Sequence, residues 1–195
     1  MIPVLRPSGT AGLPRSALLY RIDAADCLTV VNFTWMMHAK EQKADELLPE
    51  RVLGRKLWDF VHDAMVREIY SCLVSHVRAG RPVHFLYRCD TATKRRTFRM
   101  SIALLPDGEV EFSSVPVAEE ARPSVSLLEC EAPRDEAREL GMCSWCQRVL
   151  LPDGFWHSME AAVQSTDLLR ATPLPRLAHT ICPECTARMQ AQLGV

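Results

Sequence analysis

The sequence predicts an α+β protein: a five-stranded antiparallel sheet with helices on one side, followed by a small Cys₄ zinc module. Three observations carry this. Strand-like segments stand at residues 18–31 and again at 83–112, with helical periodicity between them. Pro106-Asp107-Gly108 and the Asp-rich stretch Asp23–Asp26 supply turn chemistry where hairpins need it. Near the end, Cys143-Ser144-Trp145-Cys146 and Cys182-Pro183-Glu184-Cys185 repeat a C-x-x-C spacing.

The bulk properties set bounds. A chain of 195 residues allows one large or two small domains. It is 48% hydrophobic and 24% charged, which supports a real core in an ordinary soluble protein. The net charge of −1 gives no general pull toward nucleic acid or membrane. No run approaches the roughly 18 apolar residues of a membrane span. The opening residues lack an uninterrupted apolar stretch, so no secretory signal is expected. A cytoplasmic location follows, with the eight cysteines as thiols or metal ligands rather than disulfides.

Residues 1–16, with Pro3, Pro7, Gly9, Gly12 and Pro14, read as a flexible arm. Residues 17–118 form the main domain. Leu18–Ile22 and Leu28–Val31 flank the Asp-rich turn as a hairpin. Asn32–Lys40 and Ala44–Leu48 read as short helices, the second stopped by Pro49. A longer helix follows at about 63–79. Its expected apolar stripe is Met65, Ile69, Cys72, Leu73, His76 and Val77, and Gly80 and Pro82 end it. Val83, Phe85 and Tyr87 then alternate with polar residues, as do Phe98, Met100, Ile102 and Leu104, and the Pro106–Gly108 turn leads into a strand holding Val110 and Phe112.

Several stretches of this region resemble the PAS family. They are Tyr20–Asp23, Val30-Val31-Asn32-Phe33-Thr34-Trp35, Val52-Leu53-Gly54-Arg55-Lys56-Leu57-Trp58-Asp59-Phe60, and the Pro106–Gly108 hairpin. The resemblance covers about 18–118 and implies a sensory or protein-interaction domain, often dimeric. The tail resembles the cysteine-rich extension of some bacterial PAS and two-component signalling proteins.

Residues 119–141 read as an acidic linker with a short helix at 134–140. The module at 142–195 begins with the first C-x-x-C in a tight knuckle. A hairpin around Pro152-Asp153-Gly154, a helix from Ser158 to Leu169 with Ser158 as its N-cap, and a loop broken by Pro173 and Pro175 follow. Cys182 then opens the last helix, with Pro183 in its first turn. This order resembles a treble-clef zinc site. Two C-x-x-C pairs supply the four thiolates that tetrahedral Zn²⁺ prefers, so Cys143, Cys146, Cys182 and Cys185 are the candidate ligands of a structural ion. A module this small needs such a staple. Trp145 reads as a packing residue, and His179 as a neighbour of the site rather than a ligand.

Cys27, Cys72, Cys89 and Cys130 show no ligand spacing, and Cys72 reads as a small core residue. Neither haem nor flavin is expected: no flavin-type cysteine motif occurs, and His38, His62 and His76 stand singly. The basic stretch 78–99 reads as a solvent face with the acidic linker as counter-charge. No enzyme motif is present. The expectation is a non-enzymatic signalling or interaction protein with a protein partner or a homodimer, a small ligand in the core, and neither nucleic acid nor membrane as partner. A haem or redox sensor and a nucleic-acid-binding regulator are the alternatives. Phe85, Met100 and Ile102 either line a ligand pocket on the sheet or fill the core.

Overall fold

A computed structural model describes residues 17–129, 131–165 and 173–194. The arm at 1–16, Cys130 and the end of the Ser158–Leu169 helix lie outside the described residues.

The first hairpin joins β1 (Leu18–Ile22) to β2 (Leu28–Val31). Its turn is built by Asp23, whose Oδ1 accepts from the N–H groups of Ala25 and Cys27, each at 2.9 Å. Asn32 then caps α1 (Phe33–Glu41), accepting from Trp35 N–H at 3.0 Å. The same side chain ties the helix to β1, accepting from Leu19 N–H at 3.1 Å and donating to the Ala17 carbonyl at 2.7 Å. A single 3₁₀ turn occupies Asp45–Leu47. Pro49 does not stop the chain there. It opens α2 (Pro49–Val52), since a missing N–H costs nothing in a first helical turn. After a 3₁₀ turn at Leu57–Phe60, Asp63 caps α3 (Ala64–Arg78) through Val66 N–H at 2.8 Å.

The buried side of α3 is Val66, Ile69, Leu73, Val74 and Val77. Ile69, Leu73 and Val77 match expectation. Met65 and Cys72 do not: both are exposed, because the buried stripe passes through Val66 and Val74 instead. Cys72 is therefore not a core residue.

Strands β3 (Val83–Arg88), β4 (Lys94–Leu104) and β5 (Val110–Ala121) complete a five-stranded antiparallel sheet of order β2-β1-β5-β4-β3. This is the expected PAS-like α+β arrangement. Pairings Phe85↔Met100, Val83↔Ile102 and Ile102↔Phe112 bring the inward residues to one face. The acidic stretch after 118 supplies the anticipated counter-charge, with Glu119 on Lys94 at 2.6 Å and Glu120 on Arg95 at 3.6 Å.

No helix forms at 134–140. Arg134–Cys143 is β6. It pairs with β7 (Val149–Leu150), which pairs in turn with β8 (Trp156–His157). After α4 (Met159–Ser165), capped by Ser158 through Ala161 N–H at 3.1 Å, residues 174–180 are not a loop. Leu174–Thr180 is β9, parallel to β6, in a sheet of order β8-β7-β6-β9. Pro175 is tolerated because β9 is an edge strand. Helix α5 (Pro183–Leu193) closes the fold.

Two apolar clusters result. One holds Leu140, Met142, Val149, Met159 and Leu174 inside the C-terminal half. The other is continuous from Tyr20, Phe85, Ile102 and Phe112 of the sheet to Cys143, Trp145, Ile181, Cys185 and Met189. The cysteine module thus shares its core with the five-stranded sheet.

Candidate metal centre

The four predicted ligands meet. The sulfurs of Cys143, Cys146, Cys182 and Cys185 all lie within 4.8 Å of one another. The Cys146 and Cys182 sulfurs are 3.7 Å apart. A Zn–S bond of about 2.3 Å in a tetrahedron gives an S···S edge of about 3.8 Å. A disulfide would need about 2.05 Å. Donor type, number and spacing therefore fit a divalent metal such as Zn²⁺.

Local backbone chemistry makes the site. Cys143 ends β6, and its N–H donates to the Arg148 carbonyl at 2.8 Å while its carbonyl accepts from Gln147 N–H at 2.9 Å. Closing so tight a knuckle puts Gln147 at φ +58°, in the left-handed region. Its side chain helps hold it there: Oε1 accepts from Asp90 N–H, at 2.9 Å, on the β3–β4 connection. Cys182 and Cys185 come from the start of α5, where Cys182 takes the N-cap position and Pro183 the first turn. Ser144 N–H donates to the Thr180 carbonyl at 2.8 Å, which joins the two halves of the site.

The environment treats the four sulfurs unequally. Cys143, Cys182 and Cys185 are buried, and Cys146 is half-buried. Cys182 N–H donates to the Cys143 sulfur at 3.4 Å, and Arg148 Nε to the Cys146 sulfur at 3.4 Å. An Arg188 nitrogen stands 3.8 Å from the Cys185 sulfur. Hydrogen bonds from Cys143 and Cys185, then from Arg148, hold the Cys146 thiol far below its usual range. Burial pushes Cys182 up, and the Cys143 and Cys146 sulfurs push Cys185 up. Such crowding is relieved when a central divalent cation lets every ligand ionise. Arg148 and Arg188 would offset part of the charge of a Zn²⁺–thiolate₄ centre.

Trp145 stands between two ligands and leaves the site for the sheet. It is 2% exposed, with ring centroids 5.4 Å from Tyr70 and 5.8 Å from Phe85. Its carbonyl accepts from Arg88 N–H at 2.8 Å. Phe85, Met100 and Ile102 are consequently buried core, and the pocket reading of those residues is replaced by a filled face. His179 is exposed and lies outside the sulfur cluster.

A second polar centre carries no signal in the sequence. The Asp90 carboxylate is 1% exposed and pairs with Arg88 and with Arg122, itself 3% exposed, at 3.2 Å. Arg122 and Arg95 reach Glu160 of α4 at 3.3 and 2.6 Å. Burial opposes ionisation of Glu160, but the Arg95 bond outweighs it and holds the carboxyl down to about 2. This network fastens the β3–β4 connection to the C-terminal half.

No protein-family model matches the chain, and no curated protein matches it. Among solved structures, a domain of an HTR-like protein from Haloarcula marismortui is 16% identical with a TM-score of 0.35, over 53% of this chain and 99% of its own. A fungal LOV-domain photoreceptor is 17% identical with a TM-score of 0.32, over 58% of this chain and 82% of its own. Both scores fall below 0.5, too low for either likeness to bear on function. Among the described residues no helix is long and apolar enough to cross a membrane.

Proposed function

We propose that this is a non-enzymatic signalling or protein-interaction protein of PAS type, with Zn²⁺ as a structural ion in its Cys₄ module. The observation that carries the reading is the four-sulfur cluster joined through Trp145 to the sheet core. Four protein thiolates close a tetrahedral centre and leave no position open for substrate, which is the pattern of a structural rather than a catalytic metal. The residue between two of those ligands packs on α3 and β3. A shift of the sheet or of α3 on binding a ligand or partner would therefore reach the module, provided the two states differ in affinity for what binds. Thiolate ligands suit a reducing compartment, in line with a cytoplasmic site of action.

Metal analysis combined with an absorbance spectrum tests this. Zinc in a colourless protein is the expected result, with a self-associated species or a protein partner recovered by cross-linking in cells. Visible bands of haem or flavin would favour a cofactor-based sensor instead. Turnover of a substrate dependent on the tail cysteines would overturn the non-enzymatic reading.

A further inference from the structure

With the Phe85 face filled, an open cleft of about 700 Å³ lies elsewhere, between α3 and the metal module. Its volume falls within the roughly 300–1,000 Å³ range of small-molecule sites. Leu57, Phe60 and Val66 give it an apolar floor. Tyr20 and Tyr70 line its inner part. Tyr20 is only 8% exposed, and neither phenol hydroxyl has a hydrogen-bond partner among the described residues. Neither hydroxyl is a fully buried, unsatisfied atom, so each is open to water that a bound acceptor can displace. The outer wall comes from the metal module: Ser144 of the knuckle, with Arg176 and Ala178 of β9.

The rim charges decide the class of ligand. Asp63 is committed to the α3 cap, and Arg176 pairs with Glu136 and Glu139. His62 and His179 also line the cleft, and desolvation lowers the pKa of His179, so the full charges at the rim, Asp63 and Arg176, are the ones already engaged. We infer that this cleft binds an uncharged, largely apolar ring compound bearing a carbonyl-type acceptor, which takes hydrogen bonds from Tyr20 and Tyr70. The site is completed by the metal module, so the inference rests on that module being ordered as proposed above. Because Ser144 lies between two metal ligands, a compound held against it stabilises the knuckle, and ligand affinity and metal retention are linked reciprocally.

Coumarin, an uncharged bicyclic lactone, is a suitable probe. Titration into the metal-loaded full-length protein, followed by amide NMR shifts, should show saturable binding that perturbs Ser144 and residues of α3. Tyr20→Phe and Tyr70→Phe break no protein hydrogen bond, so both variants should stay folded. Each should weaken coumarin about fivefold, the loss of one neutral hydrogen bond. Ala178→Trp should fill the cleft and abolish binding. Saturating coumarin should slow zinc transfer to a chelator at least twofold. Equal binding by the wild type and all three variants overturns the site, as does absence of binding to metal-loaded wild type. Metal content measured on the same sample keeps the two readings apart. A metal-loaded protein that ignores coumarin overturns the cleft alone, and a metal-free, ordered protein that binds it overturns the metal reading alone.

Discussion

Trp145 packs on Tyr70 with ring centroids 5.4 Å apart, which places the interior of a metal-ligand knuckle against the long helix of a separate sheet layer. The relationship makes the cysteine module part of the main core. The sequence alone suggests a tail that could loosen while 18–118 stays folded. The continuous cluster from Phe112 to Met189 predicts the opposite.

Removing the ring tests that coupling. Trp145→Ala should cost about 3–5 kcal/mol, the usual range for a buried aromatic. Denaturant unfolding should show one transition at lower midpoint. Trp145→Phe should cost less, since the buried indole N–H has no partner among the described residues.

Loss of metal should be felt in the sheet. Cys143→Ser or Cys182→Ser, or chelation of the wild type, should raise hydrogen exchange at Arg88 N–H, which donates to the Trp145 carbonyl, as well as in the tail. Unchanged protection in β3 would separate the module from the core.

The left-handed knuckle residue gives a sharper comparison. Gln147→Ala keeps the unfavourable φ of +58° and loses the bond to Asp90 N–H, so it should destabilise by about 1–3 kcal/mol through the unsatisfied donor. Gln147→Gly loses the same bond but relieves the backbone, worth about 1–2 kcal/mol in the left-handed region. Thermal denaturation should therefore rank wild type first, glycine second and alanine last.

The Asp90–Arg122–Glu160 network makes a pH prediction. Glu160 is depressed to about 2 in the fold, below the roughly 4.3 of a free glutamate. Its contribution is fully present above the unfolded value and is lost as pH falls from about 4 toward 2. Glu160→Gln should flatten the acid limb of stability in that window. Arg122→Ala should be far more damaging, about 3–5 kcal/mol, because it strips a partner from the buried Asp90 carboxylate.

What was legible in the sequence was local chemistry. Ser158 as a cap, the Asp23–Asp26 turn and the C-x-x-C spacings act over a few residues, and each stands where expected. What was not legible depends on partners distant in sequence. Arg134–Cys143 carries a charge-rich run that reads as linker or helix, yet its charged side chains find ion pairs such as Arg138 with Asp135 and Glu139 with Arg176. Leu174–Thr180 is a strand despite Pro175 because it sits at a sheet edge beside β6. Cys72 fits a three-four spacing, but the sheet selects Val66 and Val74 in place of Met65 and Cys72. Nothing in Cys-Ser-Trp-Cys says that its tryptophan will meet Phe85.

Zinc K-edge X-ray absorption on the purified protein tests the metal centre most directly. Four sulfur neighbours at about 2.3 Å, with one ion per chain, are the expected result for the Cys143, Cys146, Cys182 and Cys185 cluster. A shell containing nitrogen or oxygen, or a protein whose tail stays ordered with no metal bound, would contradict it.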